Sequence, residues 1–238
     1  MALMRLDKAL QSQGFGTRKG CRALVEAGAV RVNGVTASDP DAEVDVAALE
    51  FTVGDVTWRF AERVVLALHK PAGTECSRTP THHPSVFSLL PPHLADRGVQ
   101  CVGRLDADTT GLLLLSDDGA LIQRLTSPRR GVTKRYLVTC AAPVTDEQLA
   151  QLRQGVTLND APERVQGEAE RAGERALRLT IGEGRYHQVK RMLAAAGNHV
   201  VTLHRERVGG LELPASLAPG AFTVLDAAAR ARLEESAP

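Results

Sequence analysis

Two short runs without a polar residue, Val64–Leu68 and Leu112–Leu115, constrain this chain more than any other feature. Each is brief for a helix and apolar throughout, the composition of a strand buried on both faces. A chain of 238 residues that contains them needs a sizeable core, either one large core or a small domain beside a medium one.

The remaining pattern interleaves helices and strands. Leu6, Ala9 and Leu10 have helical spacing. Thr17 can cap a second helix with Cys21, Leu24 and Val25 inward and Gly28 as its stop. Asn33-Gly34 is a two-residue hairpin signal, and the acidic stretch after it, ending near Glu62, reads as hairpin remainder plus linker. Residues 73–92 read as loop with a short helix from Ser85. A helix holding Leu121, Ile122 and Leu125 follows, then a strand over Lys134–Cys140. Thr145 and Gln148 form a capping-box pattern ahead of Leu149 and Leu152. Strands are expected at Ala176–Ile181 and around Val200–Leu203. Between them lies a helix over Tyr186–Ala196 with Val189, Met192, Leu193 and Ala196 on one stripe, and a last helix follows Asp226. No βαβ repetition is present, so the expected fold is α+β, a mixed and largely antiparallel sheet flanked by helices. The expected division is a small domain, residues 1–62, and a larger one, residues 63–238.

Several function classes drop out. No run approaches the ~18 apolar residues of a membrane span, and the start Met1-Ala2-Leu3-Met4-Arg5 lacks the features of a secretory signal. A cytoplasmic location, without membrane, is the expectation. Cys21, Cys76, Cys101 and Cys140 show no metal or redox spacing and read as free, mostly buried thiols. Without a dinucleotide fingerprint, P-loop or metal cluster, no cofactor and no metal are expected.

The net charge of +1 conceals blocks. Residues 1–35 carry Arg5, Lys8, Arg18, Lys19, Arg22 and Arg31 against Asp7 and Glu26, and residues 123–136 carry Arg124, Arg129, Arg130, Lys134 and Arg135 with no acid. Separate basic blocks suit a focused positive surface for nucleic acid, although any one of them also suits a solvated helix face. Asp106 follows Gly103-Arg104-Leu105, and a carboxylate near Arg104 is held ionised. It can serve as nucleophile or stabilise cationic character at a sugar carbon, or simply cap the turn. In Glu183–Met192, Lys190 can pair with a carboxylate, and Arg185 and Arg191 can meet phosphates. An ordinary amphipathic helix is the competing reading. His187 reads equally as ligand or as structural. Tyr136, behind Lys134 and Arg135, suits base stacking beside phosphate contacts, or burial in an alternating strand.

Taken together, these segments resemble a known family. GRLDADTTGLLLLSDDG (residues 103–119), TSPRRGVTKRYLV (126–138) and EGRYHQVKRM (183–192) are similar, in order, to motifs of the pseudouridine synthases that modify ribosomal RNA. HKPAG (69–73) resembles the opening motif, with His69 where Asn is more usual. Arg5–Leu10, Arg22–Gly28 and Val32-Asn33-Gly34 resemble a small RNA-binding domain shared with a ribosomal small-subunit protein; Gly20 and Cys21 depart from its usual helix. Residues 203–222, LHRERVGGLELPASLAPGAF, look most like the branch acting on small-subunit (16S) rRNA.

The resemblance implies that Asp106 is the catalytic aspartate, that Arg104 helps displace the target base, that Tyr136 packs on the uracil, and that Lys190 pairs with Asp106. Many relatives have Arg where Lys190 stands. Candidate RNA contacts are Arg5, Lys8, Arg18, Lys19, Arg22, Arg129, Arg130, Lys134, Arg185 and Arg191. The implied reaction is isomerisation of one uridine to pseudouridine without cofactor, by a monomer acting on ribosomal RNA, free or in a partly assembled small subunit. The rivals are the same reaction on large-subunit (23S) RNA, a non-catalytic rRNA-binding assembly factor, and a nucleoside hydrolase.

Overall fold

In the computed structural model, which describes residues 2–161 and 163–235, Asn33 and Gly34 take positive φ of 48° and 84°. Two successive left-handed residues are what a two-residue hairpin between twisted strands requires. They join Val30–Val32 to Val35–Thr36. Glu50–Val53 pairs with Val30–Val32 on its other side, and Val56–Arg59 completes a four-stranded antiparallel sheet. The acidic stretch is thus sheet and not linker, because Phe51, 1% exposed, alternates with outward Glu50. Helices Leu6–Ser12 and Arg18–Glu26 pack on it through Leu6, Leu10, Cys21 and Val25, and Thr17 caps the second by accepting from the Gly20 amide at 3.2 Å.

The chain divides by packing into Met1–Val64 with Leu90–Gln100, and Val65–Leu89 with Cys101–Pro238. The return of Leu90–Gln100 to the first unit is not visible in local sequence. Its short helix, Pro92–Asp96, places His93 stacked on Phe15 with ring centroids 4.7 Å apart, and Arg97 donates to the carbonyls of Ala61 and Glu62. Gly14 makes that approach possible, since a Cβ there would lie 1.9 Å from the His93 carbonyl oxygen.

A buried acid organises the basic face of this unit, and the surface acid Asp41 shares Arg5 and Arg22 with it. Asp7 is fully buried, and Arg5, Arg18 and Arg22 donate to its Oδ2 at 2.9, 3.1 and 3.2 Å. Burial alone would raise the Asp7 carboxyl; the hydrogen bonds from Arg5, Arg18 and Arg22 overcome it and hold the group well below the usual carboxylate range. Lys8 and Lys19 stay exposed.

In the larger unit seven strands follow the order Glu168–Gly173, Ala176–Ile181, Lys134–Cys140, Val200–Val208, Thr110–Ser116, Val65–Lys70 and Phe222–Val224. Only Val200–Val208 against Thr110–Ser116 is parallel; the other pairings along this path are antiparallel. The two apolar runs are neighbours at its centre, with Leu66 opposite Leu115 and Leu68 opposite Leu113. All four leucines Leu112–Leu115 are fully buried. Helices Gly119–Thr126, Asp146–Gln154, Gln188–Ala195 and Ala227–Arg232 accompany the sheet, and the capping box of Thr145 and Gln148 is formed. Among the described residues, no helix is long and apolar enough to cross a membrane. The edge strand Glu168–Gly173 escaped the sequence pattern because all of its residues after Ala169, namely Glu170, Arg171, Ala172 and Gly173, are exposed and none is a large apolar side chain.

The parallel junction depends on Gly111. Its φ is +106°, and a Cβ would stand 2.3 Å from the Arg205 carbonyl oxygen. Gly111→Ala is therefore expected to lower unfolding free energy by about 3 kcal/mol, left-handed strain plus overpacking, in urea denaturation; a loss below ~0.5 kcal/mol, the size of an ordinary surface change, contradicts the packing. For Asp7, whose folded pKa is depressed, the stabilising contribution is fully present above the unfolded value near ~4 and is lost progressively as pH falls from there through the folded value. The stability gap between wild type and Asp7→Asn should therefore be on the order of 2 kcal/mol at pH 7, limited because the arginines reach solvent. That gap should start to narrow below about pH 4 and keep narrowing as pH falls toward the depressed folded value; a gap that stays constant over that acid range contradicts the role of the Asp7 charge.

Candidate active site

Lys70 closes the first apolar strand with its side chain fully buried. Its Nζ donates to the carbonyls of Pro71 at 3.0 Å, Ala107 at 3.3 Å and Thr109 at 2.9 Å. Burial pulls its pKa below the ordinary lysine value, and the charges of Cys76, Asp108 and Asp106 oppose that pull. The Ala107 carbonyl also accepts from the Gly73 amide at 2.8 Å, and the Asp106 carbonyl from the Thr109 amide at 3.1 Å. The loop bearing Asp106 is thus hung from the HKPAG segment. Sequence reasoning gave Lys70 no role, although a lysine ending a buried strand is itself a signal, since a buried ammonium needs acceptors.

Asp106 projects from that loop with its side chain 34% exposed. Lys190 Nζ lies 3.2 Å from Oδ2, and His187 Nε2 lies 3.4 Å from Oδ1. Lys190 also donates to both oxygens of Asp108, at 2.8 and 2.9 Å. Lysine at this position therefore works as a point charge shared by two carboxylates, a geometry suited to ammonium more than to a guanidinium fork. The cation beside Asp106 is Lys190, and not Arg104 as the tetrapeptide suggested. Leu105 is the buried anchor of the turn, and Arg104 extends to solvent, lining the hollows around Asp106.

The helix expected from Tyr186 begins at Gln188. His187 has φ 47° and ψ 33°, a left-handed residue that turns the chain into the helix. Its ring stacks on Tyr186 with centroids 3.8 Å apart. Gln188, buried, accepts from the Arg185 amide at 2.8 Å and donates to Glu183 at 3.3 Å, which fixes this entry. Tyr136 is 8% exposed and forms a wall of the same cleft with Ile181, Val189 and Leu203. The cleft thus offers a carboxylate with one cation and one imidazole beside a flat apolar surface. That arrangement can orient a planar ring and act on the sugar attached to it.

The other candidates divide. Arg129 and Arg130 are exposed on a single turn, Pro128–Arg130. Arg191 is occupied by Asp160 and by the Tyr186 carbonyl, and Arg185 by Glu183, so the later motif offers fewer open cations than its composition suggested. Lys134 is half-buried. Cys21 and Cys140 are buried free thiols, and Cys76 and Cys101 are half-buried ones. Among the described residues no group of three or more His, Cys, Asp or Glu could hold a metal ion.

Comparison with known proteins agrees with this arrangement. Residues 64–195 match the model of the RNA pseudouridylate synthase family, more than half of the chain. The chain belongs to that family. Residues 4–48 match the S4 domain. The chain is 39% identical over 236 residues to "Ribosomal small subunit pseudouridine synthase A" of Yersinia pestis, covering 93% of this chain and 94% of that one. The protein of that name from Haemophilus influenzae is 37% identical over 224 residues, covering 93% and 96%. That from Escherichia coli K12 is 48% identical over 159 residues, 66% and 68%. A solved structure described as a crystal structure of pseudouridylate synthase superposes with a TM-score of 0.68 at 34% identity, over 97% of this chain and 99% of that one. The mixed, mostly antiparallel sheet with an amino-terminal S4 domain is therefore the fold of a pseudouridine synthase, an RNA-modifying isomerase.

The charge network gives a titration test. Burial pulls Lys190 down, but hydrogen bonds to Asp108 and Asp106 outweigh it and raise its pKa. Its contribution to stability is thus present at neutral pH and fades only as pH rises past the ordinary lysine value near ~10.4. Asp108→Asn should move the Lys190 titration downward in NMR of the side-chain nitrogen; no movement contradicts the shared ammonium.

Proposed function

We propose that this chain converts one uridine of small-subunit ribosomal RNA into pseudouridine, with Asp106 acting on the ribose. The observation that carries the reading is the half-exposed Asp106 carboxylate, paired with Lys190 and set in the same cleft as Tyr136. The names of the relatives aligned over 93% of the chain support the small-subunit target.

The reaction breaks the bond from the ribose anomeric carbon to uracil nitrogen 1, turns the base, and joins that carbon to uracil carbon 5. Carbon 5 loses a proton and nitrogen 1 gains one, so atoms and electrons balance without redox. Asp106 serves as nucleophile at the sugar or as acceptor of a ribose proton. Lys190 holds its carboxylate in place, and Tyr136 packs on the base. Exposing the base costs a few kcal/mol, of which stacking offsets ~1–3 kcal/mol. Arg104, exposed and beside the cleft, is placed to enter the space the uridine leaves.

The amino-terminal domain, residues 1–62, brings the RNA. There Lys8 and Lys19, exposed, join Arg18, while Arg5 and Arg22 are shared between Asp7 and the surface acid Asp41. Arg129 and Arg130 extend the basic surface of the catalytic domain, residues 63–238. The enzyme works as a cytoplasmic monomer on ribosomal RNA, free or in a partly assembled small subunit, without cofactor.

Asp106→Asn is expected to abolish pseudouridine formation while RNA affinity stays within a few-fold; retained turnover would sink the assignment. Chemical mapping of rRNA from cells with and without the gene should show one lost pseudouridine in 16S RNA. Loss in 23S RNA instead would overturn the target.

A further inference from the structure

We propose that Lys134 and Arg205 form an anion subsite beside Tyr136 that holds a phosphodiester of the RNA strand next to the target nucleotide. The inference rests on the uridine occupying the Asp106 cleft, and it concerns an adjoining hollow. Gly103, Arg104, Thr126, Lys134, Tyr136 and Arg205 line it, and no acid is among its lining residues.

Arg205 is the anomaly. It is 4% exposed, yet among the described residues only its Nε has a partner, the Leu112 carbonyl at 2.7 Å, and its Nη2 is buried with none. Buried guanidinium groups are ordinarily saturated by acceptors. Lys134 stands beside it, and none of the described hydrogen bonds or ion pairs involves its ammonium. Strand register explains the juxtaposition. Tyr136 lies opposite Arg205, and Lys134 lies two residues before Tyr136 on the same face. The register shift between Arg135 and Tyr136 separates Glu206, whose carboxylate is taken by Arg135 and Arg178. The acid nearest in sequence is thus spent elsewhere.

Two cations without a counter-charge are an incomplete site. Burial, and then the charge of Arg205, depress the Lys134 ammonium to about 8, the sign of a group that has lost water and gained no anion. Donors alone call for a ligand made of acceptors alone, which describes a phosphate. The hollow shares Arg104, Tyr136 and Gly184 with the cleft that contains Asp106. A strand whose uridine enters that cleft therefore brings a neighbouring linkage to the hollow, and this favours a phosphodiester over free phosphate.

The test uses the full chain and an RNA fragment containing the target uridine, with neutral methylphosphonate linkages placed singly around it. Binding is measured against salt, without turnover. Lys134→Gln is expected to weaken binding and to make the log–log salt slope shallower by about 0.7, one phosphate contact to a single strand. One methylphosphonate position should reproduce that change in wild type and add nothing in Lys134→Gln. Arg205→Gln should match it if thermal denaturation shows that it folds; Lys134→Gln, at the half-exposed edge, decides the matter alone. An unchanged slope, or losses that add at every linkage, would overturn the subsite. So would inorganic phosphate that perturbs the Lys134 ammonium by NMR while the RNA slope is unaffected by the substitution. Because binding and pseudouridine formation are read separately, failure here with the modification intact counts against the subsite only. A wild type that makes no pseudouridine counts against the proposed function.

Discussion

The buried ammonium of Lys70 is the interaction on which the site depends. A strand end that would otherwise be one more apolar position places a charge inside the core, and three backbone carbonyls accept its hydrogen bonds. Two of the three belong to the Asp106–Thr109 turn. The desolvation of the ammonium is offset only while that turn keeps its shape, so the cost of burying Lys70 becomes rigidity of the loop that bears the carboxylate. Gly111 completes the constraint from the other end of the turn, where the strand leaves in parallel contact with Arg205.

Charge is used differently in the two units. In the amino-terminal unit a buried acid gathers three arginines, so part of the positive surface is fixed to the fold and part, Lys8 and Lys19, is left to solvent. In the catalytic unit one ammonium, Lys190, serves two carboxylates. The first arrangement keeps arginines at stated places on a surface; the second keeps a carboxylate at a stated place in a cleft. Both follow the rule that a buried or half-buried charge survives only with partners.

Local patterns carried much of this fold. The Asn33-Gly34 turn, the Thr145–Gln148 capping box and the strands Lys134–Cys140 and Ala176–Ile181 are properties of a few adjacent residues, and they stand where the pattern put them. Asp106, Tyr136 and Lys190 could be named together because their motifs resemble one family, and they share one cleft. What was illegible depends on distant partners. The acidic stretch forms a sheet because Val30–Val32 is there to pair with it, and Leu90–Gln100 returns to the first unit because Phe15 receives His93. The same holds for chemistry: Asp108 as second partner of Lys190, Asp160 as the mate of Arg191, and His187 near Asp106 are contacts across loops. The left-handed turn at His187 delays the helix by two residues, which periodicity alone does not register.

Catalysis in this cleft requires that an extruded uridine come to rest against Tyr136 and beside Asp106. The most direct measurement is a crystal structure of Asp106→Asn bound to the small-subunit RNA fragment that contains the modified position. The expected result is a uridine whose ring lies against Tyr136 and whose anomeric carbon is within about 3.5 Å of the side chain at position 106, the range of a group poised to react. A bound RNA whose unstacked uridine lies away from this cleft, or that leaves every uridine stacked, would contradict it.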